Sequence, residues 1–171
     1  MNQLSQSSRS SERSPQTGVL FVCLGNICRS PTAEGIFQHL VNIHQLSESI
    51  FVDSAGTGSW HIGRPPDARS QRVALQRGYD ISHLRARQVS AGDFDDFDYI
   101  LALDAANLAN LEKIRPQHYA GHLGLLLPFA PHLRRREVPD PYGGDEKDFQ
   151  LVVDLIQEAA EGLLNHIKGR L

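Results

Sequence analysis

Cys23 and Arg29 stand at the two ends of a short run, Cys23-Leu24-Gly25-Asn26-Ile27-Cys28-Arg29, followed by Ser30-Pro31 and preceded by the apolar stretch Val19-Leu20-Phe21-Val22. A cysteine and an arginine at this spacing can close an oxyanion-binding ring. The amides of the intervening residues can turn inward around a phosphate. The guanidinium completes the ring with two parallel hydrogen bonds to phosphate oxygens. The same positive field favours a thiolate over a thiol, which makes Cys23 a nucleophile at neutral pH. A cysteine and an arginine at this separation are by themselves a common chance pattern. A strand before them and a Ser-Pro helix start after them make the signal far more specific. The plainer alternative is a small buried cysteine at a strand end.

A ring of this kind has to be held by the elements around it. Val19–Cys23 reads as a buried strand. Pro31 suits a helix start, and Ala33, Ile36, Phe37, Leu40 and Val41 recur at helical spacing behind it. Ile50-Phe51-Val52 reads as a second strand that ends in the loop Asp53-Ser54-Ala55-Gly56-Thr57-Gly58. A helix follows from about Ala68 to Arg77, with Gly78 as its stop. Asp98–Leu103 is a third strand, residues 105–114 a helix ended by Pro116, and His122–Leu127 a candidate fourth strand. Phe149, Val152, Val153, Ile156, Ala160, Leu163, Leu164 and Ile167 mark one apolar face of a long last helix. Alternating strand and helix implies an α/β fold, a parallel sheet covered on both faces. Ligands in such folds sit beyond the carboxyl ends of the strands, where the Cys23 loop and the loops starting at Asp53 and Asp104 all lie.

The chain has 171 residues and a formal net charge of −3, enough length for one domain with a real core and no general attraction to nucleic acid or anionic membrane. Residues 1–17 are expected to be a disordered N-terminal extension, because Met1 to Gln16 are rich in Ser, Gln and Arg and carry almost nothing apolar. The domain then covers 18–171. No apolar stretch is long enough to span a bilayer and no signal-peptide-like run opens the chain; with only two cysteines, a reducing, cytoplasmic setting is expected, and a monomer. Two cysteines close together do not make a disulfide framework. The cysteines and the eight histidines also lack a second ligand pair at zinc-site spacing, so no metal or other cofactor is expected.

The segment Cys23 to Glu34 resembles the low-molecular-weight protein tyrosine phosphatase family, and the resemblance extends to Asp53–Thr57, Trp60, Ala86–Val89, Phe97–Leu101 and Asp140-Pro141-Tyr142. It implies a three-layer α/β/α fold with a four-stranded parallel sheet in order 2-1-3-4. It also implies a two-step reaction. Cys23 attacks the phosphorus of a phosphotyrosine in a protein, and Arg29 and the amides of residues 24 to 29 (Leu24, Gly25, Asn26, Ile27, Cys28, Arg29) bind the three equatorial oxygens. Water then hydrolyses the phosphocysteine. No metal is called for, since the loop supplies the positive charge. The family's general acid maps onto Asp140, although Asp-Pro is equally a common turn pair. The resemblance further places Asn26, Ser54 and His83 in a network that props the loop open.

Other residues carry two readings each. Ser30 is placed to donate to the Cys23 sulfur, or to cap a helix. Asp104 could orient Arg29 or cap the helix over 105–114. Cys28 could trap an oxidised Cys23 as a disulfide, or be a small packed residue. Trp60 and Tyr142 are candidate aromatic walls for a phenyl ring, with Ile27 and Leu24 adding apolar surface. Tyr142 is followed by Gly143-Gly144 where animal members commonly carry a second tyrosine, so the chain looks like a bacterial member of the family. A phosphoarginine phosphatase on the same fold is the nearest alternative, but an apolar Ile27 should favour a ring over a guanidinium. Arsenate reduction would need further cysteines, and none follows Cys28. A non-catalytic phosphate-binding module would have no need of both Cys23 and Asp140.

Overall fold

The computed structural model describes residues 16–171. Its sheet has four parallel strands in the order β2-β1-β3-β4: β1 (Thr17–Cys23), β2 (Ile50–Gly56), β3 (Tyr99–Ala102) and β4 (His122–Leu125). β1 lies inside the sheet because its side chains are apolar on both faces, as a doubly covered strand requires. Val19, Phe21 and Cys23 point into one layer, with Ile36, Phe37, Val152 and Ile156, while Leu20 and Val22 point into the other, with Phe94, Phe97 and Leu111. This is the two-residue period of a strand feeding two cores.

Helix α1 (Arg29–Ile43) and the long C-terminal α5 (Glu146–Lys168) pack together on the first face, with α2 (Ala68–Gln76) against α5. The other face is covered by the single-turn α3 (Asp93–Asp96), which brings Phe94, and by α4 (Ala105–Ile114), which brings Leu111. All eight apolar positions read as the face of the last helix are buried. Asp145 and Asp148 form a capping box at its start. Gly78 does end α2: it adopts φ 90, its amide donates to Leu75 and that of Tyr79 to Ala74, a Schellman closure.

Several boundaries differ from the sequence reading. Thr17, counted with the expected extension, is the first residue of β1 and pairs with Ile50, because its amide finds the Ser49 carbonyl. Residues 1–15 of that expected extension lie outside the described residues. β2 runs on to Gly56, since its polar residues Asp53 and Ser54 are paired alongside β1. β4 stops at Leu125, and two 3-10 turns, Leu127–Phe129 and Pro131–Leu133, carry the chain away. α1 begins at Arg29, two residues before Pro31, so the proline occupies the first turn, where its missing N–H costs nothing.

Candidate active site

The loop between β1 and α1 turns its carbonyls outward. The carbonyls of Cys23 and Leu24 accept from the amides of Thr57 and Gly58, and that of Ile27 accepts from the amide of Asp67. None of the amides of residues 24–29 finds a protein acceptor among the described residues. They remain as donors around the start of α1, whose first residues also bring the positive end of the helix dipole. The turn needs special geometry at two places. Asn26 takes φ 57, a left-handed angle that asparagine tolerates. Gly56 must lack a side chain, because a Cβ there would lie 2.8 Å from the Leu24 carbonyl oxygen and 3.1 Å from the Asn26 amide.

Asn26 is the strut of the loop. Its side-chain amide donates to Ser30 Oγ (2.7 Å) and Ser54 Oγ (3.0 Å), and its Oδ1 accepts from the Arg87 amide (3.0 Å). Ser54 in turn donates to Glu34 Oε1 at 2.6 Å. Burial is the main force that raises the Glu34 carboxyl to about 7; Ser54 opposes it, Asp53 adds to it and Arg87 opposes it. With Asn26 donating to it, Ser30 Oγ is left to direct its own hydrogen at Cys23 Sγ, 2.9 Å away, or at the Ala55 carbonyl, 3.3 Å away. A thiolate is the stronger acceptor of the two. The helix-cap reading of Ser30 does not hold: the N-cap position is Cys28, with no side-chain cap, and Ser30 lies inside the helix.

Arg29 is 3% exposed. One terminal nitrogen, Nη1, donates to Asp104 Oδ2 (2.6 Å) and to the Val138 carbonyl (3.0 Å). Nη2 and Nε therefore remain for a ligand. Asp104 serves both readings at once, since its other oxygen accepts from the Asn107 amide and caps α4. Val138 is fully buried and its amide bonds to the Leu103 carbonyl, which pins the segment carrying Asp140 to the end of β3. Asp140 Oδ2 lies 3.8 Å from Arg29 Nη2, and Oδ1 accepts from the Tyr142 amide. The aspartate thus forms the expected turn and still faces the site.

These parts enclose a cavity of about 220 Å³ lined by Cys23, Leu24, Gly25, Ile27, Cys28, Arg29, Trp60, His61, Asp140 and Tyr142. Trp60 is 69% exposed and Tyr142 54%, so both are walls rather than core. Cys28 is buried at the cavity edge. Desolvation pushes its thiol up to about 12 against a weaker opposing hydrogen bond from Ser70, which favours the protonated form. A polar, positively biased floor under apolar and aromatic walls suits an aryl phosphate dianion.

The family model described as low molecular weight phosphotyrosine protein phosphatase matches residues 18–170. The chain belongs to this family. It is 44% identical over 150 residues to the low molecular weight protein-tyrosine-phosphatase YfkJ of Bacillus subtilis, covering 88% of this chain and 95% of that protein. Among solved structures it is similar to a protein tyrosine phosphatase from Entamoeba histolytica (TM-score 0.87, 40% identity, 91% of this chain and 100% of that one). It is also similar to an arginine phosphatase of Drosophila (TM-score 0.82, 38% identity, 88% and 97%).

Against this phosphatase fold, one expected support is misplaced. His83 makes no hydrogen bond to Asn26 or Ser54 among the described residues; it is exposed and lines a separate cavity with Glu34, His39, Tyr79 and Asp80. Both amide hydrogens of Asn26 are already used by Ser30 and Ser54, and the far end of the chain of bonds is Glu34. Sequence reasoning missed Glu34, though it stands one helical turn after Ser30 and so shares its face. It also missed Arg69, which grips Asp67 with two nitrogens, donates to the Tyr142 carbonyl and lies 4.5 Å over the Phe149 ring. Because the Asp67 amide bonds to the Ile27 carbonyl, Arg69 ties the Cys23 loop to the Asp140 loop. Nothing in local spacing announces a residue that acts across two loops.

Proposed function

We propose that the chain hydrolyses phosphotyrosine in proteins, and aryl phosphates generally, through a phosphocysteine on Cys23. The observation that carries this reading is the set of amides at 24–29 left without protein acceptors among the described residues, ringed between Cys23 Sγ and a buried Arg29 whose Nη2 and Nε donate to no protein acceptor among them. Sulfur attacks phosphorus and the bond to the phenolic oxygen breaks. Asp140 gives its proton to that oxygen, which leaves as a phenol. Ser30 steadies the sulfur through its hydroxyl. The amides and Arg29 take up the charge on the equatorial oxygens, where it builds most in the transition state. Asp140, now a carboxylate, removes a proton from water as the water attacks phosphorus. Inorganic phosphate leaves and the Cys23 thiolate is restored. On this reading the chain works as a monomer in a reducing, cytoplasmic setting; both cysteines are unpaired, and no step calls on a second copy.

The likeness to an arginine phosphatase supports a second reading, in which a phosphoguanidinium enters the same cavity. Ile27 lines that cavity, and its apolar side chain favours a ring over a charged guanidinium. Turnover of para-nitrophenyl phosphate with a chelator present tests the main reading. Activity that persists with chelator and vanishes in Cys23→Ser supports it; equal activity in Cys23→Ser overturns it. Matched phosphotyrosine and phosphoarginine peptides then separate the two substrates.

A further inference from the structure

Beside the catalytic cavity lies a second, wider groove of about 740 Å³, lined by Asp104, Ala105, Leu125, Arg135, Arg136, Glu137, Val138, Pro139 and Asp140. Asp140 is common to both, so a peptide whose phosphorylated side chain fills the first can continue into the second. Two of the three carboxylates of the groove face Arg29, and the third, Glu137, keeps its charge. Asp104 is held by Arg29 and the Asn107 amide, Glu137 accepts from the Ala105 amide, and Asp140 faces Arg29 and the Tyr142 amide. The arginines are not engaged. Arg134, Arg135 and Arg136 are exposed, and none of their guanidinium groups has an ion-pair or hydrogen-bond partner among the described residues. Their backbone is fixed at both ends. Arg134 turns the chain at φ 53, and Val138 is buried and bonded to Leu103 and Arg29. Arg136 stands two residues before Val138, so its Cα is within about 7 Å of the residue that holds the catalytic arginine.

The sign of charge reverses past Asp140, where Asp145, Glu146 and Asp148 follow Tyr142. In a chain with net charge −3, three adjacent unpaired arginines at one rim of a phosphate site form a local positive edge. We propose that Arg135 and Arg136, with Arg134 beside them, bind acidic side chains flanking the phosphotyrosine of the substrate protein and so select acidic phosphorylation sites. The proposal rests on the phosphotyrosine phosphatase reading and names its substrate class. Exposed pairs of this kind contribute a factor of about two to five each, so two or three together give roughly tenfold selectivity. Rim charges act on encounter as well as on residence, and salt weakens both.

The test compares two phosphotyrosine peptides with flanking Asp and Glu in one and Asn and Gln in the other. The unmutated protein is expected to show about tenfold higher kcat/KM on the acidic peptide at low salt, shrinking in 0.5 M salt. The preference should disappear in Arg135→Ser/Arg136→Ser. Arg135→Glu/Arg136→Glu should invert it toward a Lys-flanked peptide, a gain that a damaged fold cannot produce. Equal turnover of both peptides by the unmutated protein, or a preference that survives both double variants, overturns the proposal. So does a variant that keeps the preference but loses binding to vesicles containing anionic lipid, which would give the arginines to a membrane surface. Loss of para-nitrophenyl phosphate turnover in the unmutated protein is a different failure and sinks the phosphatase reading itself.

Discussion

Glu34→Gln isolates the chain of bonds that holds the phosphate loop open. The carboxylate ends the series Asn26 to Ser54 to Glu34, and a glutamine oxygen can still accept from Ser54 while removing the charge. Burial raises the Glu34 carboxyl from 4.5 to about 7 in the folded protein. The folded state therefore binds a proton more tightly than the unfolded state. The associated stability is fully present below 4.5 and is lost as pH rises through about 7. At about 1.4 kcal/mol per tenfold change in proton affinity, the loss is about 3 kcal/mol. Partial solvent access to the carboxylate makes this an upper figure. Asp53 and Arg87 face the group with opposite signs, and His39, His83 and Asp80 share the adjoining cavity. All of them are present in both proteins, so the difference between variant and parent reports Glu34. Urea unfolding at pH 5 and pH 8 reads it. Relative to the parent, the variant should gain about 2–3 kcal/mol between the two pH values. Parallel stability profiles would refute the argument.

Asp140→Asn should slow turnover of aryl phosphates by about 10²- to 10⁴-fold, with the loss smallest for substrates whose leaving group needs no proton; an equal loss for all leaving groups would exclude Asp140 as the donor. Asp104→Asn keeps the cap of α4 but removes the shorter of the two ion pairs of a buried guanidinium, so it should cost up to about 3 kcal/mol in thermal or urea unfolding together with activity. Arg69→Ala frees the Asp140 loop from the Cys23 loop. It should lower kcat in the parent but add little in an Asp140→Asn background, which a double-mutant cycle measures. Iodoacetate followed by mass spectrometry should label Cys23 and spare Cys28, whose thiol sits near 12. If Cys28 nonetheless traps oxidised Cys23, peroxide followed by reductant should restore activity in the parent and not in Cys28→Ser.

The phosphate loop was legible because it is local: Cys23, the left-handed Asn26, Arg29 and the helix start lie within one short segment between an apolar strand and an apolar helix face. The strand order followed from the family resemblance and agrees with the structure, and the buried face of the last helix followed from spacing alone. Asp104 had two sequence readings because one carboxylate has two oxygens, and the fold uses both.

Long-range contacts decided the rest. Which group completes the Asn26 network depends on how α1 lies over β2, which brings Glu34 to Ser54 and leaves His83 outside. The bond from Arg69 to the Asp140 loop spans 73 positions and carries no periodicity that a sequence could reveal. Nothing in local spacing singles out Arg135 and Arg136; the segment that Val138 ties to Leu103 sets them in the groove beside the catalytic cavity. Spacing along a chain fixes what neighbouring residues can do together. Which distant residues meet is set by how the helices seat on the sheet, so it appears only when the whole core is packed.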